Sequence, residues 1–387
     1  MRYHLGLGVS TKALAAILAG AIVLAVAWAP VKADDPVSTS VSFNREIIRI
    51  IQRKCEPCHA PGGLAMSLSD YRDARTWGRA IREELVAHRM PPAIVARGYG
   101  RYETDPSLNA REIATFLTWL DGGMPRGDEA DRPPAVAIDA AGDIGESTGI
   151  RLALPAQTLA PAGDLVVRRV RIDAGAAAGR AIARVQLRPG NRRVLRGAMV
   201  SAVAGAGSAL RDPAYADTSV WLGGWLPWQH AIVPPASYAF HLPAGAALIV
   251  DLYYRAADVE TTDRSAIELT FAPAAARGAI DDVVVDASVA AGSRVRGSVT
   301  LSRPATVWAI HPALDASAAS MELRAERPDK SFEVLLWIPE VRADWPVALV
   351  LQEPVTLPAG SKVSLVVETR AGAVAASPPR VTLSVLR

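Results

Sequence analysis

The chain has 387 residues, half of them hydrophobic, and a formal net charge of only +3. That length suits two or three domains rather than one, and the near-balanced charge gives no long basic surface of the kind nucleic acid needs. The excess of Arg over Lys, with abundant Ala, Gly and Pro, reads as the codon bias of a GC-rich genome rather than as a functional signal.

The first element is a signal-like segment over residues 1–33. Arg2 and Lys12 make a positive start, Ala13 to Trp28 is an uncharged apolar run, and Val31-Lys32-Ala33 places small residues for cleavage before Asp34. This pattern predicts a secretory signal peptide and a periplasmic or otherwise exported protein, soluble after cleavage. The alternative is an uncleaved membrane anchor, but the run is shorter than the ~20 residues a spanning helix wants. No later segment is long and apolar enough to span a membrane.

The next signal is Cys55-Glu56-Pro57-Cys58-His59, which holds both cysteines of the chain. Four chemistries use such a pair. A thioredoxin-like motif needs a βαβ context, which the flanks lack. A structural zinc site needs about four ligands, and only His88 is near. A disulfide across two residues closes a tiny loop and stabilises little. C-x-x-C-H in an exported chain is the attachment signature of haem c, with Cys55 and Cys58 as the covalent anchors and His59 as the proximal iron ligand.

The flanks predict helices. Asn44 is placed to cap one that carries Ile47, Ile48 and Ile51 on one face. A second amphipathic segment runs from about Tyr71 to His88. Asn109 and Glu112 form a capping-box pattern ahead of Ile113, Phe116, Leu117 and Leu120, and Gly122-Gly123 ends that helix. For the sixth iron position the choice is Met90, in a loop stiffened by Pro91-Pro92. His/Met ligation suits electron transfer at a raised potential. His88 is the rival, and would give a bis-His haem. Met66 packs against the haem edge in this reading, and Met124 lies in the turn after the last helix.

Several of these motifs, in order, resemble the class I cytochrome c family. They are Phe43-Asn44-Arg45-Glu46-Ile47, Cys55 to His59, Asp73-Ala74-Arg75-Thr76-Trp77, Met90-Pro91-Pro92 and Trp119-Leu120-Asp121-Gly122-Gly123. The resemblance spans Phe43 to Gly127, about a quarter of the chain. It implies an all-α cytochrome c domain over 40–128, haem c on Cys55 and Cys58, His59 as proximal ligand and Met90 as distal ligand.

Residues 129–150 are rich in Pro, Ala and Asp, have no period, and read as a linker. Short runs then alternate apolar with polar, separated by Gly, Pro and Asn/Asp turns, which predicts antiparallel β-sandwiches. A break near 272–278 divides them into two in tandem, 151–275 and 279–387. The expected fold is therefore multidomain: an N-terminal all-α cytochrome domain, then all-β tandem sandwiches.

The strand region resembles the copper type II, ascorbate-dependent monooxygenases, the family of peptidylglycine α-hydroxylating monooxygenase. The carrying residues are Arg188-Pro189-Gly190-Asn191-Arg192-Arg193-Val194, Leu242-Pro243-Ala244-Gly245 with Leu248 to Tyr254, Leu336-Trp337-Ile338, and Glu353 to Gly360. That family binds one copper per sandwich, through an adjacent His pair with a third His, and through an H-x-H pair with a Met. Here the matching positions hold Arg196 and Gly197, Tyr253-Tyr254, and Ala313 with Asp315. Of the six histidines, His4 falls in the signal segment and His59 on the haem. The remainder, His88, His230, His241 and His311, form no such pair, so a copper site of that kind is not expected. His230 or His241 with Met199, Met321 or His311 leaves a single rearranged site open.

The reading is an exported monohaem c-type cytochrome in one-electron transfer with a redox protein partner. Its sandwiches serve docking or structure. The alternatives are a haem-coupled copper monooxygenase with a rearranged site, and a haem sensor with an open sixth position. Trp221, Trp225 and Trp228 are either a contact surface or sandwich core.

Overall fold

The computed structural model describes residues 39–92, 94–103, 105–136, 149–161, 165–204, 220–229, 231–255, 258–276, 278–373 and 378–387. The signal-like segment with His4, most of the linker and His230 lie outside the described residues. Among the described residues no helix is long and apolar enough to cross a membrane.

The described residues are mostly β, with 43% in strands against 16% in helices. The expectation of an all-α N-terminal domain is therefore corrected. Its one long helical run, from Phe43 to His59, is made of consecutive α and π turns (Phe43–Ile47, Ile48–Ile50, Ile51–Cys55, Glu56–His59). Among the described residues the helices Tyr71–Thr76, Gly78–Val86 and Ala110–Asp121 complete the set before the linker, whose first residues form a single 3₁₀ turn at Glu129–Asp131. The amphipathic Tyr71–His88 segment breaks at Trp77, and Asp70 caps its first half by accepting from the Asp73 N–H at 2.9 Å.

These helices share a small apolar cluster that includes Phe43, Ile47, Ile51, Phe116 and Trp119. The long stretches between them, 60–70 and 87–109, are irregular, because Pro61, Gly62, Gly63, Pro91, Pro92, Gly98, Gly100 and Pro106 interrupt any helical period. Leu68 and Leu108 of these stretches pack into the helical cluster, but others turn away from it. Leu64, Ile94 and Tyr102 are instead buried in the core of the second β unit. The capping box at Asn109 and Glu112 forms as expected, with both bonds at 2.9 Å. Asn44 does not cap. It is buried as the second residue of the run, with Ser42 at the N-cap position, and its amide donates to the Asp128 carbonyl at 2.9 Å.

The strands form two packed β units. In the first, β1 (Gly149–Ala153), β11 (Ala266–Phe271), β4 (Ala181–Arg188) and β8 (Tyr238–His241) face β3 (Val166–Asp173), β9 (Ala247–Tyr254), β5 (Leu195–Val203) and β6 (Val220–Trp225). In the second, β12 (Gly278–Asp286), β20 (Arg380–Leu386), β15 (Ala305–Ala313) and β18 (Leu349–Leu357) face a five-stranded sheet. That sheet runs β13 (Val289–Ala291), β14 (Arg294–Thr300), β19 (Lys362–Thr369), β16 (Ala318–Glu326), β17 (Phe332–Ile338). The small pieces are β2 (Gln157–Leu159) with β10 (Thr261–Asp263), and β7 (Ala231–Ile232) on β4.

The two units are not separate beads. β8 and β12 pair in parallel, Gly278 with Tyr238 and Ala279 with Ala239, so a single nine-stranded sheet runs through both. Trp308 and Val350 of the second unit also belong to the core of the first. Trp221 and Trp225 are core residues, not a contact surface, and the half-buried Trp228 packs on Trp345 with ring centroids 5.1 Å apart.

Asp282 of β12 sits at this junction. Its carboxylate accepts from the Trp221 N–H at 2.7 Å and from the Ser384 hydroxyl at 3.0 Å. Burial nevertheless dominates and pushes its pKa up to about 6. A carboxyl raised in the folded state contributes stability that is full at pH values below its unfolded pKa and is lost as pH rises through the folded value. Asp282→Asn removes the charge; its amide oxygen can still accept from the Trp221 backbone N–H, and its NH2 can donate to the Ser384 hydroxyl once that hydroxyl turns to accept. Its stability relative to wild type is expected to improve by about 2 kcal/mol from pH 4 to pH 8, two pKa units discounted for the residue's partial exposure. Urea denaturation at the two pH values measures this, and a pH-independent difference would sink it.

Candidate functional site

Cys55 to His59 close the long helical run. Pro57 lies in the first turn of the last piece, where its missing N–H leaves no bond unmade. The extended Ala60 ends the helix, and the chain folds back over the motif. Gly63 N–H bonds the Ala60 carbonyl at 2.9 Å, Ala65 N–H bonds the Cys58 carbonyl at 3.1 Å, and Leu68 N–H bonds the His59 carbonyl at 2.8 Å. A side chain at Gly63 would put its Cβ 2.7 Å from the Cys58 carbonyl oxygen, so the fold-back needs glycine.

The fold-back delivers the Met66 carbonyl to His59. His59 Nδ1 donates to it at 2.9 Å. That bond sets the neutral tautomer and leaves the Nε2 lone pair free, the arrangement found at metal-ligating histidines. Burial holds the imidazole pKa below its ordinary value, partly offset by the Met66 carbonyl, so the ring stays unprotonated at neutral pH.

Cys55 and Cys58 are free thiols. Burial pushes both up to about 12, and for Cys58 the charges of Arg196 and Arg192 offset part of the effect. A dithiol that works by disulfide exchange needs a lowered thiol pKa, so the surroundings do not suit a redox pair. Nor does a zinc clip form: among the described residues no three His, Cys, Asp or Glu side chains are placed to hold a metal ion.

Cys55 packs on the helical cluster and Cys58 on the core of the second β unit. A cleft of about 520 Å³ opens between those two clusters, within the range of small-molecule and cofactor sites. Leu85, Leu108 and Ile113 wall it from the helical side and Ile94 from the other. Met90 and His88, the two rival distal ligands, both line it and both are exposed. The donor set itself fits haem attachment, with two unpaired thiols and one imidazole whose tautomer is set for ligation; the cleft lined by the Met90 thioether is of mixed character, with Arg97, Glu340 and Arg342 among its walls, and Cys55, Cys58 and His59 do not line it. Met66 contributes its carbonyl, while its side chain is 40% exposed.

The positions that resemble copper-ligand sites are built differently. Arg196 pairs with Asp344 at 2.9 Å, and Gly197 lies so close to Pro346 that a Cβ would approach within 2.7 Å. Tyr254 is buried and donates to Asp263 at 2.8 Å. His311 is held in the core by the Val347 carbonyl at 3.1 Å and stacks on Trp221, with ring centroids 5.3 Å apart. His241 is exposed at the end of β8, while Met199 and Met321 are buried in different cores. Among the described residues these side chains do not converge as a metal-binding group.

Sequence reasoning missed the arginines beside Cys58 and the insertion of Tyr102. Both depend on partners far along the chain, and no local pattern marks them.

No family model matches the chain, and no curated protein matches it. Among solved structures it is similar to the N-glycanase PNGase F at 9% identity, over 62% of this chain and 96% of that one, with a TM-score of 0.29. It is also similar to allantoicase at 9% identity, over 56% of this chain and 76% of that one, with a TM-score of 0.18. A third likeness is to a Paenibacillus xanthan lyase at 10% identity, over 60% of this chain and 25% of that one, with a TM-score of 0.17. At these TM-scores none of the three bears on the chemistry of this chain.

Proposed function

We propose that this chain is an exported monohaem c-type protein that carries single electrons to or from a redox protein partner. The observation that supports it most is the His59 Nδ1–Met66 carbonyl bond within a C-x-x-C-H motif. Cys55 and Cys58 hold the haem covalently, His59 Nε2 is the proximal ligand and Met90 the distal one. The haem supplies a one-electron iron couple.

The residues of the chain do the remaining work. The Met66 carbonyl keeps the proton on Nδ1 and so keeps Nε2 directed to ligation. Leu85, Leu108, Ile94 and Ile113 give the cleft beside Met90 an apolar patch, and the hydrophobicity around a haem is one of the levers on its potential. The β units hold the segment 94–103 in place and so fix the wall of the cleft opposite the helices.

The test is to express the full chain in a periplasm equipped to attach haem c, beside Cys55→Ala/Cys58→Ala. Wild type is expected to keep one haem through denaturation, seen by mass and by visible absorbance on a denaturing gel, and the double variant to lose it. Wild-type protein without covalent haem would end this reading.

A further inference from the structure

Arginines from both β units gather at the Cys58 end of the motif. Cys58 packs on the core of the second β unit, to which Trp345 also belongs, and the charges of Arg196 and Arg192 act on its thiol. The Arg196 guanidinium lies over the Trp345 ring, 4.3 Å from its centroid, and bonds the Asp344 carboxylate at 2.9 Å. Arg342 shares that carboxylate at 3.8 Å and also lines the cleft that holds Met90. Arg255 donates to the Leu64 carbonyl, next to Ala65, whose N–H bonds the Cys58 carbonyl.

Here the three guanidinium charges of Arg196, Arg342 and Arg255 face the one carboxylate of Asp344, and Arg192 adds a further charge that acts on Cys58, so the cluster is net positive. Glu84 pairs with Arg89, and Glu340 is exposed at the rim, where water screens it. Arg196 is the best fixed of the three. It is held by a ring stack and an ion pair, only 22% of its side-chain surface is open, and its Nε–H is buried without a hydrogen-bond partner among the described residues. A guanidinium keeps its charge at every relevant pH, so this is a permanent positive charge at a set place.

A fixed positive charge beside a one-electron centre favours the reduced form, which carries one positive charge fewer. Half-burial strengthens the effect, because the dielectric between the groups is below that of water. We infer that Arg196 is a positioning residue for the electron-transfer function: it holds its charge against the Cys58 edge of the haem and raises the reduction potential, with Asp344 as the counter-charge that limits the rise. This inference rests on the haem reading above. It also gives the β units a specific task, since Arg196 and Asp344 come from strand regions far from the motif in sequence.

The experiment is a redox titration of the full-length haem-loaded chain with Arg196→Gln, Arg196→Lys and Asp344→Asn. Arg196→Gln is expected to shift the one-electron equilibrium about tenfold toward the oxidised form, a fall of about 59 mV. Asp344→Asn is expected to move it the opposite way, and Arg196→Lys, which keeps the charge, by much less than Arg196→Gln. A merely structural role would move Gln and Asn in the same direction and would not spare Lys, and that result overturns the inference. Covalent haem with unmoved potentials overturns this inference alone. Absence of covalent haem from wild type overturns it together with the cytochrome reading.

Discussion

Replacing Tyr102 by Ala is expected to destabilise the chain by about 3–5 kcal/mol, the range for losing a buried aromatic side chain. Tyr102 is 5% exposed and lies in the core of the second β unit, although it belongs to the N-terminal segment. Its hydroxyl donates to the Leu335 carbonyl at 2.5 Å, and burial pushes the phenol pKa up, so the donor proton stays in place. The backbone around it extends the sheet. Tyr102 bridges Leu351, Ala96 N–H bonds the Trp337 carbonyl at 2.8 Å, Glu103 N–H bonds the Val350 carbonyl at 2.9 Å, and Gln352 N–H bonds the Arg101 carbonyl at 2.9 Å.

Tyr102→Phe removes only the hydroxyl and is expected to cost about 1 kcal/mol. Urea denaturation followed by far-UV circular dichroism and by tryptophan fluorescence measures both variants. The Ala variant is also expected to split the two transitions, because the helical segment loses its main anchor on the strands. A cost below 1 kcal/mol for Tyr102→Ala, with coincident transitions, would mean that the helical segment stands without the sheet.

The second large effect is at the distal ligand. In the haem-loaded chain, Met90→Ala is expected to abolish the sulfur-to-iron charge-transfer band of the oxidised protein and to lower its potential, since His/Met ligation raises it. His88→Ala is expected to leave both unchanged. Both residues line the cleft, so position alone does not choose between them. The choice of Met90 comes from the Pro91-Pro92 pair, which restricts the loop that presents the sulfur and of which Pro92 is buried. Loss of low-spin character in His88→Ala, with the Met90→Ala spectrum intact, would reassign the ligand to His88.

The arginines and the pH-sensitive carboxyl show the same division at smaller scale. Arg196 reads in the sequence only as a residue where a related pattern has histidine, and Asp282 as one of three acids in a strand. Each acquires meaning from a neighbour brought by folding: Trp345 and Asp344 for the first, Trp221 and Ser384 for the second.

Local chemistry was legible in the sequence. The C-x-x-C-H spacing, the Asn109–Glu112 capping box, the apolar stripe from Ile113 to Leu120 and the alternating strands each involve residues within one or two turns or along one strand, so covalent geometry relates them directly. Whether the helices make a domain was not legible. That depends on where Leu64, Ile94 and Tyr102 bury their apolar surface, and the irregular stretches that carry them have no period to announce it. The parallel pairing of Tyr238 and Ala239 with Gly278 and Ala279, which joins the two β units, is equally silent, because sheet pairing is a backbone contact between distant segments and leaves little trace in side-chain pattern. The sequence by itself points to Cys55, Cys58, His59 and Met90 as the residues that would hold a haem under the proposed function. Only the tertiary structure decided that the loop after β17 walls the cleft with Pro339, Glu340 and Arg342, because burial and electrostatics are properties of the packed chain.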